Sequence, residues 1–167
     1  MEFISSDTNI WIDFYQIQQI ELPFRLPYKY LMNEDAVQDE LTNPPGLGEE
    51  LISCGLIPTE ITINELFLAE NYENAYKRLS IYDRIALAIA KERGIILLSG
   101  DGALRKAAQK ENVSVMGTLG IFDKLWEQRL IGRRDYQSCL QQLLNKLGGV
   151  IRLPKNEIFL RLKRLTE

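Results

Sequence analysis

The sequence predicts an α/β fold with a mostly parallel sheet, and three observations support this class. Short apolar runs of strand length alternate along the chain with longer segments whose apolar residues recur at helical spacing. The clearest run, Ile95-Ile96-Leu97-Leu98, is typical of a strand that is buried on both faces. With 167 residues, of which 46% are hydrophobic and 26% charged, the chain has the length and composition of a single globular domain.

The first half of the chain divides into strands and helices at its polar and turn-forming residues. Strands are predicted at 3–6, 28–32 and 56–57, where short apolar runs occur. Helical spacing predicts a helix through 10–14, and Asn33 is a suitable N-cap for a helix over 34–41. The sequence Asn43-Pro44-Pro45-Gly46 ends that helix, one or two helical turns follow at 49–53, and a longer helix runs from Thr62 or Asn64 to about residue 79.

The second half has stronger boundary signals. Ser80 and Asp83 fit a capping box at the start of a helix over 81–93, which Gly94 ends. After the strand at 95–98, the sequence Gly100-Asp101-Gly102 turns into a helix over 103–111, and a last strand is predicted at 113–115. Helices are expected at 119–128 and 134–147. The remainder, about 148–167, is a basic amphipathic extension whose last helical segment begins at Pro154.

Four acidic residues lie at junctions between predicted strands and helices: Asp7, Glu40, Asp83 and Asp101. In parallel sheets ligands bind at the carboxyl ends of the strands, where Asp7 and Asp101 fall. Capping is an alternative role for the three aspartates, since negative charge is favourable at a helix N-terminus. Glu40 lies near the end of its helix, where no such role exists. Four converging carboxylates would repel one another, and a divalent cation would relieve that repulsion.

The composition narrows the chemistry and the cellular setting. The chain contains 0 His, which excludes Ser–His and Cys–His nucleophile pairs and histidine zinc sites. Carboxylates remain as abundant metal ligands, and they suit Mg²⁺ and Mn²⁺. Two cysteines without metal-binding spacing, no apolar run of about 20 residues and no signal-peptide pattern predict a cytoplasmic protein that does not span a membrane. The net charge of −3 does not exclude nucleic acid, because charge distribution matters more than the total.

Several segments resemble the motifs of PIN-domain nucleases. The central signature is carried by Ser80-Ile81-Tyr82-Asp83-Arg84-Ile85-Ala86-Leu87-Ala88-Ile89-Ala90 and by Ile95-Ile96-Leu97-Leu98-Ser99-Gly100-Asp101-Gly102-Ala103-Leu104-Arg105-Lys106-Ala107-Ala108. The opening Ser6-Asp7-Thr8-Asn9 and the helix Ala36-Val37-Gln38-Asp39-Glu40-Leu41 are similar to further family motifs. Met116-Gly117-Thr118-Leu119-Gly120-Ile121 resembles a piece found in an uncharacterised branch near the VapC-like toxins. Together the resemblance covers about residues 1–147.

The resemblance implies a PIN-like three-layer α/β/α fold and a set of site residues. The family's metal-binding and catalytic acids carry over to Asp7, Glu40, Asp83 and Asp101, with Asp7 and Asp101 as the expected direct ligands. Ser99 and Asn9 are expected to support them. Glu65 is a rival to Glu40, because other branches carry a motif like Ile61-Thr62-Ile63-Asn64-Glu65-Leu66. Gly100 departs from the family, which often has an acid at that position.

The activity that the resemblance implies is an endoribonuclease using one or two Mg²⁺ or Mn²⁺ ions. Related toxins cleave RNA and are held by an antitoxin protein, which implies a homodimer and an antitoxin covering the acidic pocket. Expected RNA contacts at the pocket rim are Arg84, Arg105 and Lys106, although each of them also fits a solvated helix face. Trp11 and Trp126 fit core or dimer contacts better than base stacking.

Three alternatives stay open at this point. A PIN-like interaction module could keep the acids and cleave nothing. A phospho-receiver domain is also α/β with a carboxylate pocket. Such a domain normally has paired acids after its first strand, where this chain has only Asp7, and a lysine after its last strand, where this chain has none. The basic C-terminal segment could contact RNA or an antitoxin, and packing on the domain's own core is favoured over both.

Overall fold

The structure, a computed structural model, describes residues 2–167 and contains one parallel sheet. Its strands are β1 (Glu2–Ser6), β2 (Tyr28–Asn33), β3 (Ile57–Thr59), β4 (Ile96–Leu98) and β5 (Val115–Met116). Their spatial order is β3-β2-β1-β4-β5, and every pairing is parallel. In the centre, β1 pairs with β2 on one side and with β4 on the other. The predicted parallel α/β class is therefore confirmed.

Helices connect these strands and extend beyond the last one. They are α1 (Thr8–Gln16), α2 (Glu34–Glu40), α3 (Leu47–Cys54), α4 (Ile63–Ala75), α5 (Ile81–Arg93), α6 (Gly102–Lys110), α7 (Thr118–Glu127), α8 (Arg133–Asn145) and α9 (Lys155–Arg164), with a 3₁₀ turn at Leu22–Arg25. Among the helices of residues 2–167, none combines the length and apolarity that crossing a membrane requires.

Two hydrophobic cores give the molecule its three layers. The larger core joins the sheet to α1, α2, α3, α7, α8 and α9, and contains Ile4, Trp11, Phe14 and Phe122 at 0% exposure. The smaller core joins the sheet to α4, α5 and α6, where the alanine-rich face of α5 packs closely. Helices thus cover both faces of the sheet, as is usual for a parallel sheet.

The strand order fixes where a ligand site can form. From β1 the chain first adds β2 and β3 on one side of the sheet and then adds β4 and β5 on the other side. The direction in which strands are added therefore reverses at β1. Crevices form at such a reversal, outside the carboxyl ends of the strands, and Asp7 and Ser99 follow directly after β1 and β4. The order also differs from the 2-1-3-4-5 arrangement of phospho-receiver domains, which removes that alternative.

Most predicted elements are found within one or two residues of their expected bounds, and α5 matches at both ends. The prediction that the fourth helix reaches about residue 79 is wrong, because α4 ends at Ala75. Tyr76 there leaves helical geometry and its hydroxyl bonds the Glu111 carboxylate, while Leu79 turns back into the smaller core. A contact with α6 thus competes with continuation of the helix.

The C-terminal segment packs on the domain, as favoured from the sequence. Ile151, Ile158 and Leu165 are buried in the larger core. Arg161 in α9 makes a bidentate ion pair with Asp123 in α7, with N–O distances of 2.8 and 2.7 Å. Residues after 147 are therefore part of the same folded unit rather than a separate arm.

The two tryptophans have different environments. Trp11 is a core residue at 0% exposure, and its indole N–H donates to the Ser6 hydroxyl. Trp126 is 40% exposed and stacks on Tyr136, with ring centroids 5.3 Å apart. The core role expected of Trp11 is thus confirmed, whereas Trp126 contributes one ring face to the surface.

Candidate functional site

Asp7 is a buried carboxylate at the centre of the sheet's carboxyl edge. It follows β1, and its backbone N–H bonds the Leu98 carbonyl of the neighbouring strand. Its side chain caps α1 by accepting the Asn9 N–H at 3.0 Å. Burial raises the pKa of Asp7 to about 6, against the lowering effect of its hydrogen bonds to Ser99 and Asn9. The negative charges of Asp83 and Asp101 raise the pKa of Asp7 further.

Ser99 connects Asp7 to Asp101. Its hydroxyl, at 0% exposure, donates to Oδ2 of Asp7 at 2.7 Å and accepts the backbone N–H of Asp101 at 3.1 Å. Asp101 in turn caps α6, where its Oδ2 accepts the Leu104 N–H at 2.9 Å. Ser99 therefore links the Asp7 carboxylate to the backbone of Asp101, whose own carboxylate is held by its bond to α6.

Asp83 enters from the start of α5. It completes a capping box in which the Ser80 hydroxyl accepts the Asp83 N–H at 3.1 Å and the Asp83 carboxylate accepts the Ser80 N–H at 3.0 Å. Burial raises the pKa of Asp83, and the Asp101 charge adds to that rise against the opposing Ser80 bonds. The influence of Asp101 on both Asp7 and Asp83 shows that the three aspartates form one negative region.

Glu40 reaches the same region from the end of α2. It is exposed, and its Oε1 accepts the Thr8 hydroxyl of α1 at 2.6 Å. A small pocket at this end of the sheet is lined in part by Asp7, Glu40 and Asp83. Asp101 does not line this acidic pocket; its backbone N–H is linked to Asp7 through the Ser99 hydroxyl.

The rival acid Glu65 lies elsewhere. It is 1% exposed and forms an ion pair with Arg93 at 2.7 Å, while its carboxylate completes a capping box with Thr62. Arg93 is the last residue of α5, whereas Asp83 is in the first turn of that helix, so about 15 Å of helix separates them. The ion pair and the Thr62 bond lower the pKa of Glu65, as expected for a structural carboxylate.

The expected supporting and rim residues occupy different surroundings. Asn9 contributes its backbone N–H to Asp7, and its exposed side chain makes no hydrogen bond within residues 2–167. Arg84 lies against α4, bonding the Ala69 carbonyl at 3.5 Å and approaching Glu73 at 3.8 Å. Arg105 donates to the Ser99 carbonyl at 2.9 Å, next to the acids, and Lys106 is exposed on α6.

Three pocket residues were not singled out from the sequence. Thr8 bonds Glu40, Asn33 caps α2 and lines the pocket, and Tyr82 lines it while its hydroxyl bonds Asp39. Asn33 was identified as a cap, and its position at the end of β2 was the available indication of a site role. The contacts of Thr8 and Tyr82 join residues far apart in sequence, so local patterns carry no indication of them.

The arrangement fits a divalent cation in chemistry and is not a preassembled metal cluster. Within residues 2–167, no three acidic or cysteine side chains lie close enough together to hold a metal ion. Each of Glu40, Asp83 and Asp101 uses one carboxylate oxygen in hydrogen bonds within the described chain, which leaves the second oxygen to bind a ligand. Hard oxygen donors suit a Mg²⁺ or Mn²⁺ ion, whose charge would also offset the burial and the neighbouring negative charge that raise the pKa of Asp7 and of Asp83.

Comparison with known proteins identifies the domain. A family model described as a PIN domain matches residues 3–167. Neither a curated protein nor a solved structure gives a match. The matched range contains Asp7, Glu40, Asp83 and Asp101, and it continues through the C-terminal segment that packs on the larger core.

Proposed function

The chain belongs to the PIN-domain family, and on that premise we propose that it is a Mg²⁺- or Mn²⁺-dependent endoribonuclease. PIN domains have a nuclease-type fold, act on nucleic acid and generally use divalent metal ions. The observation that carries the proposal is Asp7, a carboxylate at the central strand end, whose pKa is raised by burial and further by the charges of Asp83 and Asp101. Carboxylates with a pKa raised in this way are common at functional sites.

The proposed metal ligands are Asp7 and Asp101, with Glu40 and Asp83 completing the ligand set. When bound, a divalent ion lowers the pKa of water and neutralises charge on a phosphate. Ser99 bonds the Asp7 carboxylate and the Asp101 backbone N–H, and Thr8, a pocket residue, donates to Glu40. The four carboxylates supply the negative charge that binds the ion, and the buried floor of the pocket limits the water around Asp7.

The resemblance to VapC-like toxins extends the proposal to partners. We propose that the protein is the toxin of a toxin–antitoxin pair, works in the cytoplasm and forms a homodimer. PIN nucleases often pair with antitoxins, and the acidic pocket is the surface that an inhibitor would cover. Coexpression with an adjacent small open reading frame, followed by size-exclusion chromatography, tests the partner. A complex that inhibits cleavage is the expected result.

A thermal melt with and without Mn²⁺ tests the metal site. A ligand bound only to the native state stabilises it, by about 2.7 kcal/mol at a hundredfold excess over Kd. We expect Mn²⁺ to raise the Tm of the wild type and to leave Asp7→Asn unchanged. Asp13→Asn is the matched control, because Asp13 is another buried acid of the same segment, bonded to Thr118 outside the acidic pocket. It should keep the Mn²⁺ response.

Cleavage of a labelled single-stranded RNA tests the activity. The wild type should cleave it with Mn²⁺ and not with EDTA, and Asp101→Asn should lose cleavage while keeping its fold, because asparagine is also a good N-cap. A Mn²⁺-dependent Tm shift without cleavage of any RNA offered would support the alternative function, a PIN-like interaction module that binds metal and cleaves nothing. Absence of both the shift and cleavage would overturn the metal-dependent nuclease.

A further inference from the structure

A second cavity opens beside the acidic pocket. It lies between the turn after β4, the start of α7 and the C-terminal segment that leads into α9. We call it the arginine groove, after the three arginines among its lining residues: Arg105, Arg152 and Arg161. The expected nuclease site does not include Arg152 or Arg161, which belong to the segment after residue 147.

A single residue, Ser99, lies between the arginine groove and the acidic pocket. Its hydroxyl donates to Asp7 on the pocket side, and its backbone carbonyl accepts Nη1 of Arg105 on the groove side at 2.9 Å. Gly100, the next residue, lines the groove. The acidic pocket and the arginine groove therefore lie on the two sides of Ser99.

The groove carries positive charge that the protein does not neutralise. Arg161 is paired with Asp123 at 2.7 Å and with Glu157 at 3.0 Å, so its charge is offset. Arg105 bonds only a neutral carbonyl. Arg152 is exposed and forms no ion pair within residues 2–167. Two guanidinium groups therefore remain to bind an anion, and arginine suits phosphate because its fork can bind two oxygens.

The Gly-Thr-Leu-Gly motif forms one wall of the groove. A Cβ at Gly117 would lie 3.0 Å from Nη1 of Arg105, and a Cβ at Gly120 would lie 2.6 Å from Cγ of Met116. Glycine at both positions thus lets Arg105 and Met116 pack against the start of α7. The N-cap of α7 is Gly117, which has no side chain to cap the helix, and residues of the first turn line the groove.

Gly100 has a related consequence. A Cβ at Gly100 would meet nothing within 4 Å, so the position has room for a side chain. An acidic side chain there would place negative charge where the groove begins, so a substitution at this position can test the groove without removing an arginine.

We propose that the arginine groove binds a backbone phosphate of the RNA strand, one that neighbours the scissile phosphate, through Arg105 and Arg152. This proposal rests on the proposed ribonuclease function, and it assigns the C-terminal segment a part in substrate binding. Phosphate contacts fix the register of a strand without reading its sequence. The groove would therefore position the RNA, while the acidic residues act on the phosphodiester bond.

Binding of a fluorescein-labelled single-stranded RNA, measured by anisotropy in EDTA, tests the groove. The Asp7→Asn background prevents cleavage, and EDTA removes any effect of metal. We expect Arg152→Gln to weaken binding by about fivefold and to reduce the slope of log K against log[salt] by about 0.7, the value for one lost phosphate contact on a single strand. Arg134→Gln, which removes an exposed charge on α8 outside the groove, should change neither quantity.

A matched pair at Gly100 tests the groove without removing an arginine. Gly100→Asp should weaken RNA binding in EDTA by about as much as Arg152→Gln, whereas the neutral Gly100→Ser should bind like the parent. Equal affinities and salt slopes for Arg152→Gln and Arg134→Gln, or no RNA binding at all, would overturn the groove. RNA binding that depends on the groove, without any cleavage by the wild type, would contradict the proposed nuclease activity and support the groove as an RNA-binding site.

Discussion

The hydroxyl of Ser99 donates to Oδ2 of Asp7 across 2.7 Å, and the hydroxyl oxygen of Ser99 also accepts the backbone N–H of Asp101. One buried hydroxyl thus links the Asp7 carboxylate, after β1, to the backbone of Asp101, after β4. The bond lowers the pKa of Asp7 against the larger effect of burial, so it favours the charged form of that carboxylate. Ser99 is therefore a positioning residue for the proposed metal site.

The first prediction concerns Ser99→Ala. The change removes a donor from the buried Asp7 carboxylate and an acceptor from the Asp101 N–H, and unpaired buried groups of this kind cost about 1–3 kcal/mol. We expect the free energy of unfolding in urea to fall by about that amount and the Mn²⁺-dependent rise in Tm to shrink. Ser114→Ala, at an exposed serine next to β5, is the control and should behave like the wild type. Equal stabilities for the two variants would contradict the bridging role.

The second prediction separates Glu40 from Glu65. Glu65→Ala removes an ion pair whose other partner, Arg93, stays exposed to solvent, together with half of a capping box, so we expect a loss of about 1–3 kcal/mol in stability. Glu40→Ala removes an exposed side chain with one hydrogen bond, and its stability should change by less than about 1 kcal/mol. RNA cleavage at a temperature where both variants are folded should show the reverse order. Normal cleavage by Glu40→Ala together with loss of cleavage by folded Glu65→Ala would assign the site to Glu65 instead.

Features that depend on contacts between residues close in sequence could be predicted, and features that depend on contacts between distant residues could not. The Ser80–Asp83 capping box could be predicted because both partners lie within one helical turn, and the structure contains both of its hydrogen bonds. The end of α4 could not, because the bond between Tyr76 and Glu111 joins residues 35 apart. The site shows the same division. The strand ends indicated where Asp7 and Asp101 follow the sheet, whereas the bond from Thr8 to Glu40 depends on how α2 packs beside α1.

The third prediction tests whether α9 is an integral part of the domain. Ile158 is at 0% exposure in the larger core, and its neighbour Phe159 is 48% exposed. We expect Ile158→Ala to lower the free energy of unfolding by about 2–5 kcal/mol, the usual range for a buried isoleucine. Phe159→Ala should change it by about 0.5 kcal/mol or less. A single urea transition that shifts as a whole in Ile158→Ala is expected. A separate early transition would show that α9 unfolds on its own.

The last prediction concerns the pH dependence of stability and rests on Asp13. This side chain of α1 is buried, accepts the Thr118 hydroxyl of α7 at 2.8 Å, and its pKa is raised by burial from 3.8 to about 6. Between about pH 4 and pH 6 the unfolded chain has lost this proton while the native state keeps it, so stability falls as pH rises through that window and is level above it.

Asp13→Asn removes the titration and can still accept the hydroxyl through its carbonyl oxygen. Urea unfolding at several pH values should show the variant more stable than the wild type at neutral pH, by roughly 1–3 kcal/mol, and close to it near pH 4. Asp7, whose pKa is also raised to about 6, contributes equally to both proteins, so the difference between their profiles isolates Asp13. Parallel profiles would show that Asp13 keeps an ordinary pKa in the native state.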